Sequence, residues 1–346
     1  MQTHDSKHRK WVRGSLPTAQ DSPVLKRVLG FPRELRVFVN MSCNYSCSYG
    51  SGRLFCHSKK SVPGRKKLLN DPTSHHLFEA FASWGFRKLR ICGMEPTLHP
   101  RLPSIIELAR NCGFRIANMT TNGSHLAAIL PELVDAGLSA LTVSLHSLNP
   151  DIYQRITGGR LDKVLLALEA VRELEIPTKI NCVVQRGVNS DIRPLLEYSW
   201  KRGFTPKIYQ LLWQPSSDLD YNIYYVPLEE ILAPVLSTME CVEVAEYELA
   251  MRTRYRCSSP EGNFLEFGTF RPKTESQLAG CRKCKYALKC EEGFLGYGYE
   301  VSPDLILNPC YLRPEASFSL SDYLLGDYDS LMQRLVHTNR TMGGSI

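Results

Sequence analysis

Three cysteines lie close together just after the first segment that is predicted to form a strand. Cys43, Cys47 and Cys56 are spaced C-x3-C-x8-C in a stretch rich in Gly and Ser. Thiolates are soft ligands, and closely spaced thiolates are typical of iron–sulfur clusters. Three protein ligands would leave one iron of a four-iron cluster open to another molecule. The spacing matches no zinc-finger or common ferredoxin pattern, so later motifs must decide its meaning.

A second group of four cysteines lies towards the C-terminus, with the spacing C-x2-C-x5-C-x19-C. Its members are Cys281, Cys284, Cys290 and Cys310. Four thiolates can hold either a zinc ion or a second [4Fe–4S] cluster, and the spacing alone leaves both open. Cys257 is a weaker candidate for a ligand. Cys112, Cys182 and Cys241 are expected to be buried apolar residues.

The composition is that of a globular protein with a substantial core. The chain has 346 residues, of which 43% are hydrophobic and 22% are charged. It contains no apolar run long enough for a membrane helix, and its N-terminus has no apolar signal region. We therefore expect a cytoplasmic protein, in which twelve cysteines indicate metal or redox chemistry.

The formal net charge of +7 favours an anionic partner. The chain lacks the long Lys/Arg block that would favour nucleic acid. A phosphorylated small molecule is the expected partner, with no nucleic acid and no membrane.

Strand-like and helix-like segments alternate through the first two thirds of the chain. The apolar strand-like runs are 35–40, 88–92, 114–120, 140–145, 178–185 and 206–212. Helical spacing is found near 72–83, 101–111, 125–136, 160–175 and 190–202. This alternation predicts an α/β fold with a parallel sheet and right-handed crossovers, either open or barrel-like.

The pattern changes after residue 213. Residues 257–312 are rich in Cys, Gly and Pro, which predicts a small unit stabilised by metal, and a helix is expected over 319–336. The predicted organisation has three parts: an N-terminal arm over 1–30, an α/β domain over 31–215 and a C-terminal domain over 216–346 with a flexible tail.

Polar motifs follow the predicted strands, at the ends where parallel sheets collect functional groups. The second strand is followed by Cys-Gly-Met-Glu-Pro over 92–96, the third ends in Thr-Thr-Asn-Gly over 120–123, and the fourth ends in Ser-Leu-His-Ser over 144–147. The glycine of the first motif lets backbone approach a ligand, and its glutamate could accept hydrogen bonds from an ammonium group.

Together with the cysteine loop, these motifs resemble, in order, those of the radical S-adenosylmethionine (SAM) superfamily. Residues 34–212 are similar to the GTP 3′,8-cyclases of molybdenum cofactor biosynthesis, notably in ITGGRLDKVLLALEAV and KINCVVQRGVNSDIRPLLEYSWKRG. The resemblance implies a partial (βα)6 TIM-like barrel that binds SAM on a [4Fe–4S] cluster. It also implies a C-terminal Cys-rich domain with an auxiliary [4Fe–4S] cluster, and an external one-electron reductant such as flavodoxin or ferredoxin.

The cysteine loop departs from the family pattern, C-x3-C-x2-C with an aromatic residue before the third cysteine. Without a gap, Tyr49 is that aromatic residue and Gly50 replaces the third cysteine. With six extra residues, Phe55 precedes Cys56 and restores the pattern. Cys56 is the predicted third ligand under both alignments, and Cys92 is the competing choice.

The resemblance also implies the residues that contact SAM. Glu95 would bind the methionine amino group, while Gly93, Met94, Thr121 and Ser144 would shape the methionine and ribose site. No catalytic side chain is assigned, because the 5′-deoxyadenosyl radical is the reactive group.

In the second cysteine group, the resemblance favours an auxiliary cluster over zinc. Family members leave one iron of that cluster open to the guanine base, whereas Cys290 is an additional ligand here that would close it.

Five cations stand where the family binds its nucleotide, namely Arg36, Lys88, Arg90, Lys179 and Lys207. Cations that converge inside a barrel are costly without an anion, so we expect a nucleotide or nucleoside-phosphate substrate. Two expected arginines are replaced by Gly298 and Glu300, and Gly343-Gly344 is followed by two further residues.

These departures predict a divergent enzyme of nucleoside-antibiotic biosynthesis, which forms a carbon–carbon bond or rearranges the sugar. Three alternatives stay open. They are a GTP 3′,8-cyclase, a peptide-modifying maturase with a SPASM-like domain, and a non-catalytic Cys-rich protein that binds metal or nucleic acid.

Overall fold

The computed structural model describes residues 10–11, 34–48, 68–213, 218–247, 252–270, 284–286, 289–290, 299–310, 312–324 and 327–343. The strands are β1 (Lys10–Trp11), β2 (Glu34–Phe38), β3 (Lys88–Cys92), β4 (Ile116–Thr121), β5 (Leu138–Ser144), β6 (Thr178–Val183), β7 (Thr205–Tyr209), β8 (Glu240–Tyr247), β9 (Arg252–Ser258), β10 (Phe264–Phe270), β11 (Tyr299–Val301), β12 (Ile306–Asn308) and β13 (Phe318–Ser319). The helices are α1 (Asp71–Ser83), α2 (Leu102–Asn111), α3 (Leu126–Ala136), α4 (Pro150–Thr157), α5 (Leu161–Glu173), α6 (Arg193–Lys201), α7 (Asp218–Tyr224), α8 (Leu228–Leu236) and α9 (Tyr328–Gly343).

Strands β2 to β7 form the centre of the sheet. They lie side by side in chain order and all their pairings are parallel. Each of the six predicted strands is present, and at least one helix lies between each of these strands and the next. The predicted α/β fold with a parallel sheet is confirmed.

Side chains on these strands alternate between two environments. One set is apolar and buried, and its members include Leu35, Val37, Leu89, Ile91, Ile180 and Ile208. The intervening residues are mostly polar and half-buried, as with Arg36 on β2 and Lys207 on β7. In a β/α barrel the apolar set packs against the helices, and the other set faces the interior. The sequence therefore builds a barrel with a polar interior.

The C-terminal strands extend this sheet at both edges. Strand β10 pairs in parallel with β7 and carries the antiparallel strands β9 and β8. Strand β11 pairs in parallel with β2 at the opposite edge. Both open edges of the partial barrel are thus covered by later parts of the chain. The domain boundary near residue 216 stays a prediction.

Two helices differ from the sequence-based expectation. The helix expected over 319–336 instead begins at Tyr328, because Phe318–Ser319 pairs as β13 and Asp327 caps the helix. Asp327 Oδ1 accepts a hydrogen bond from Ser330 N at 3.2 Å. The short helix α4 was not predicted, although Asn149 caps its start and Gly158, with φ of 68°, ends it.

Two expectations about isolated cysteines are corrected. Cys241 and Cys257 lie opposite each other on β8 and β9 and form a disulfide, so neither is a free ligand or an isolated apolar residue. Cys112 is half-buried at the end of α2, whereas Cys182 is buried as expected. In the part of the chain that the structure describes, no helix has the length and apolar character to span a membrane.

Candidate active site

The cysteine loop follows β2 and is held by the end of helix α4. Ser46 N donates to Thr157 O at 2.8 Å, and Ser48 N donates to Ile156 O at 2.7 Å. The last carbonyls of a helix lack partners within the helix, so the loop supplies the donors that they need. The motif ITGGR, which carried part of the family resemblance, therefore positions Cys43 and Cys47.

Tyr45 anchors the same loop from within. Its side chain is only 6% exposed, and its ring makes an edge contact with the ring of Tyr153 at 6.4 Å between centroids. A Cβ atom on Gly159 would overlap the Tyr45 ring, so a glycine is required there for a steric reason. The contact between Tyr45 and Gly159 thus fixes the distance between the cysteine loop and α4.

The thiols of Cys43 and Cys47 are both half-buried. Cys43 Sγ accepts from Tyr45 N at 3.4 Å and lies 3.8 Å from Asn122 Nδ2. Such N–H···S contacts stabilise thiolates and tune iron–sulfur clusters. The two described cysteines therefore fit a [4Fe–4S] site. The predicted contacts of Tyr49, Phe55 and Cys56 lie outside the described residues.

Gly93 lets the Gly-Met-Glu-Pro turn come against the cysteine loop. Its φ is +145°, and a Cβ atom there would lie 3.1 Å from Asn40 O. Asn40 Nδ2 donates to Glu95 O at 2.8 Å, and Asn40 Oδ1 accepts from Ser42 N at 3.0 Å. Asn40 therefore joins the turn to the loop. Sequence reasoning missed Asn40, although a lone asparagine at the end of an apolar strand was a usable signal.

Glu95 is fully buried at the centre of the turn. Its Oε1 accepts from Thr121 Oγ1 at 2.6 Å and from both the backbone and the hydroxyl of Thr97, while Oε2 accepts from Asn122 N at 2.6 Å. Burial raises the pKa of Glu95, and these donors partly offset that rise. A carboxylate oxygen has two acceptor positions, so Oε2 has capacity for an ammonium donor. The structure brings Glu95 and Thr121 together, and Met94 lies beside them in the turn.

Ser144 ends β5 in register with Asn181 of β6. Just beyond it, His146 is buried and accepts a hydrogen bond at Nδ1 from Val183 N at 3.2 Å. Burial lowers the pKa of His146 to about 4. His146 is therefore neutral near pH 7 and joins the ends of two barrel strands.

We expect acid to destabilise the protein through His146. Its pKa is lower when folded than its usual 6.5, so the unfolded chain binds more protons between pH 6.5 and pH 4. The free energy of unfolding should therefore fall by about 3 kcal/mol as the pH is lowered from 6.5 to 4. Urea titrations at several pH values measure it. The variant His146→Gln should reduce the slope, and the exposed-site control His125→Gln should not.

The structure pairs three of the five predicted substrate-binding cations with carboxylates. Lys179 Nζ lies 2.6 Å and 2.7 Å from the two carboxylate oxygens of Glu266. Arg90 Nε donates to Glu34 Oε1 at 2.9 Å. Arg36 Nε lies 3.8 Å from Glu300 Oε2. The premise that these cations need an external anion is thus weaker than the sequence suggested.

Lys88 and Lys207 differ from the other three. No carboxylate among the described residues lies within 4.0 Å of either ammonium group. Burial lowers the pKa of Lys207, and the positive charges of Arg254 and Lys179 lower it further. Of the five predicted substrate-binding cations, Lys207 is therefore the one whose charged form an anionic ligand would stabilise most.

Cys92, the competing choice for a cluster ligand, ends β3 in the same barrel interior. Burial raises the pKa of its thiol, and Arg36 Nη2 donates to its Sγ at 3.6 Å. The observed partner of Cys92 is thus Arg36, one of the five predicted substrate-binding cations.

The described members of the second cysteine group are Cys284, Cys290 and Cys310, which are half-buried, whereas Cys281 lies outside the described residues. The pKa of Arg313 is raised mainly by its hydrogen bond to Glu315. The charges of the Cys284 and Cys310 thiols raise it further. The Tyr286 ring lies 5.8 Å from that of Trp213, beyond the end of β7. This segment therefore packs at the carboxyl-terminal end of the barrel.

At least two of these three thiols lie farther apart than a zinc site requires. Tetrahedral zinc with bonds of 2.3 Å places its sulfurs about 3.8 Å apart. Within the described part of the chain, the one group of three possible ligands within 4.8 Å of one another is His75, His76 and Glu79, on the surface of α1. The thiols of Cys284, Cys290 and Cys310 do not all lie within that distance of one another.

Comparison with known proteins bears directly on this arrangement. The model of the radical SAM superfamily matches residues 39–198. A probable GTP 3′,8-cyclase from Methanococcus vannielii is 30% identical over 289 residues, which cover 82% of this chain and 88% of that protein. The chain belongs to the radical SAM superfamily. A GTP 3′,8-cyclase from Rhizobium etli is 29% identical over 259 residues, which cover 72% of this chain and 71% of that protein.

Solved radical SAM structures share the fold. SuiB of Streptococcus suis bound to S-adenosylmethionine has a TM-score of 0.56 at 15% identity, with 89% of this chain and 70% of that chain covered. The structure titled native anSMEcpe with bound AdoMet has a TM-score of 0.54 at 16% identity, and 89% and 82% of the two chains are covered. The predicted radical SAM barrel is confirmed. As a radical SAM enzyme, the protein uses a [4Fe–4S] cluster with SAM.

Proposed function

We propose that this radical SAM enzyme acts on a guanosine nucleotide and joins its ribose to its base, as the name GTP 3′,8-cyclase describes for its relatives. The supporting observation is the similarity to such a cyclase over 88% of that protein's length. The relatives favour this activity over the nucleoside-antibiotic role that the sequence predicted.

The chain's own residues have defined tasks in this proposal. Cys43, Cys47 and the predicted ligand Cys56 hold the cluster. When bound, the cluster and SAM supply a 5′-deoxyadenosyl radical that removes a substrate hydrogen. Asn40 holds the turn that carries Glu95, and Glu95 accepts hydrogen bonds from the amino group of SAM. A bond between C3′ and C8 requires loss of the hydrogen on C3′.

Gly93, Met94, Thr121 and Ser144 are proposed to shape the methionine and ribose site. Their support is their position at the carboxyl ends of β3, β4 and β5, where α/β barrels bind ligands. An external one-electron reductant supplies the electron for SAM cleavage, and a second electron with a proton from solvent replaces the hydrogen atom that the substrate loses.

Lys207 is proposed to bind the substrate's phosphates. Replacing it with Met should weaken guanosine nucleotide binding about 10–100-fold, because a charged hydrogen bond contributes about 1.5–3 kcal/mol. Wild-type affinity should also fall as pH rises through the lowered pKa of Lys207, since phosphate needs the ammonium form. Equilibrium dialysis measures both. Lys201→Met, at an exposed site on α6, is the matched control. Equal affinities for the Lys207 variant and wild type would exclude this role.

The second cysteine group is proposed to hold an auxiliary [4Fe–4S] cluster. Its support is that the three described thiols do not all lie within 4.8 Å of one another and that their segment packs at the barrel mouth. Two clusters require about eight irons per chain. We expect Cys290→Ala to keep that iron content, because Cys281, Cys284 and Cys310 would still bind, but to change the auxiliary cluster's paramagnetic resonance spectrum. An unchanged spectrum would show that Cys290 is not a ligand.

The substrate is tested with anaerobically reconstituted enzyme, SAM and a reductant. GTP should give a new nucleotide isomer with a bond between ribose and base, together with 5′-deoxyadenosine, whereas ATP should give far less of both. Mass spectrometry and chromatography identify the products. If every nucleotide is inert while a peptide yields a modified product, the proposed substrate class is wrong.

A further inference from the structure

We propose that His75, His76 and Glu79 form a binding site for a divalent transition-metal ion, and that Zn²⁺ is the ion that it fits best. The three side chains lie on the surface of helix α1, outside the cysteine loop and outside the strands that line the barrel. None of them has a task in the proposed reaction. This inference therefore goes beyond the proposed function and stands or fails independently of it.

Helical spacing brings the three side chains together. Glu79 follows His75 by four residues and His76 by three, and residues at these two spacings are neighbours on a helix surface. The backbone between them is held in place, because Leu77 and Phe78 are fully buried. The group begins at the fifth residue of α1, beyond the first turn, where the helix dipole would oppose a cation. The three possible ligands thus project from one fixed stretch of helix.

Glu79 is the shared partner of the two imidazoles. Its Oε2 lies 3.1 Å from His75 Nδ1 and 3.8 Å from His76 Nδ1. One nitrogen of each ring and one carboxylate oxygen all lie within 4.8 Å of one another. Tetrahedral zinc with bonds of about 2.0–2.1 Å holds its ligand atoms about 3.3–3.4 Å apart. Small side-chain rotations therefore suffice for all three residues to contact one ion.

The Glu79 carboxylate has no permanent cation beside it. Among the described residues, no Lys or Arg lies within 4.0 Å of its oxygens, and its ion-pair distances are to the two histidines. A metal ion would therefore add positive charge here without displacing an existing salt bridge. Each of the three side chains is 45% exposed, so an ion can enter from solvent and water can complete its coordination.

The donor atoms select the class of metal. Two imidazoles and one glutamate are the ligand set of several zinc enzymes, in which water takes the fourth position. Imidazole suits zinc, copper and nickel, whereas Mg²⁺ and Ca²⁺ prefer oxygen ligands. The pKa of the Cys112 thiol is raised by burial and further by the charge of Glu79, but this thiol does not belong to the group within 4.8 Å. The site is therefore built from nitrogen and oxygen donors without sulfur.

Equilibrium dialysis against Zn²⁺ tests the site in the full chain, with its clusters already loaded so that the cluster thiols are occupied. Zinc and iron are counted in the same samples by mass spectrometry. Wild type should take up one zinc ion that His75→Ala, His76→Ala and Glu79→Gln each bind at least about tenfold more weakly. His125→Ala, at an exposed histidine just before α3, is the matched control and should bind zinc as wild type does. Excess Mg²⁺ should not displace the zinc.

Zinc X-ray absorption identifies the ligand atoms. We expect nitrogen or oxygen neighbours at about 2.0–2.1 Å and no sulfur at about 2.3 Å. Sulfur neighbours would place the zinc on thiols and overturn the inference. It would also be overturned if wild type took up no zinc, if all three variants bound zinc as tightly as wild type, or if Mg²⁺ displaced the ion. Variants that lose the zinc but keep the full iron content and SAM cleavage would support it.

Discussion

Replacing Cys43 or Cys47 with Ala is expected to abolish the SAM-binding cluster and reduce SAM cleavage to background. Both thiols are half-buried, and both lie in the segment that α4 holds against the barrel mouth. A four-iron cluster with one ligand fewer would lose the site that binds SAM, because the remaining thiolates cannot retain it. Each variant should lose about four irons per chain and form no 5′-deoxyadenosine.

Cys112→Ala is the matched control for this experiment. Cys112 is likewise half-buried but lies at the end of α2, outside the cysteine loop. The control should keep the full iron content and wild-type cleavage. A Cys43 variant that retains both properties would show that this cysteine is not a ligand.

Gly159→Ala is expected to have the second largest effect. The added methyl group would overlap the ring of Tyr45, which is buried and already contacts Tyr153. Overpacking of this kind costs about 1–3 kcal/mol. The ring can escape only if the loop between Cys43 and Ser48 moves away from α4. We therefore expect a lower free energy of unfolding and much weaker cluster loading.

A double variant separates this contact from a general backbone effect. Adding Tyr45→Ala to Gly159→Ala removes the overlapping ring, so cluster loading should recover relative to Gly159→Ala alone. Iron content and urea titration measure both properties. If the double variant is no better than Gly159→Ala, the contact with Tyr45 is not the cause.

The barrel strands could be predicted because each carries a local signal. Alternating or continuous apolar residues marked β2 to β7, and the gaps between them had helical spacing. The extension of the sheet by β10 and β11 could not be predicted, since it depends on which edges of the barrel remain open. Helix α4 was missed for a simpler reason. It has only eight residues, too few for a long apolar repeat, although Asn149 and Gly158 mark its ends.

The site could be predicted in outline from strand ends. Glu95 and Thr121 were expected near each other, and they share a hydrogen bond of 2.6 Å. The ion pairs could not be predicted, because Lys179 and Glu266 are 87 residues apart and meet only through the register of β6, β7 and β10. Cys56 stays a predicted ligand, since its segment lies outside the described residues.

Deuterium transfer from the ribose of GTP to 5′-deoxyadenosine tests the central claim most directly. The reconstituted enzyme is incubated anaerobically with SAM, a reductant and GTP that carries deuterium at ribose C3′. We predict 5′-deoxyadenosine that contains one deuterium, and none from the Cys43→Ala variant. A wild-type enzyme with its full iron content that cleaves no SAM, or that cleaves SAM without ever taking deuterium from GTP, would contradict the account.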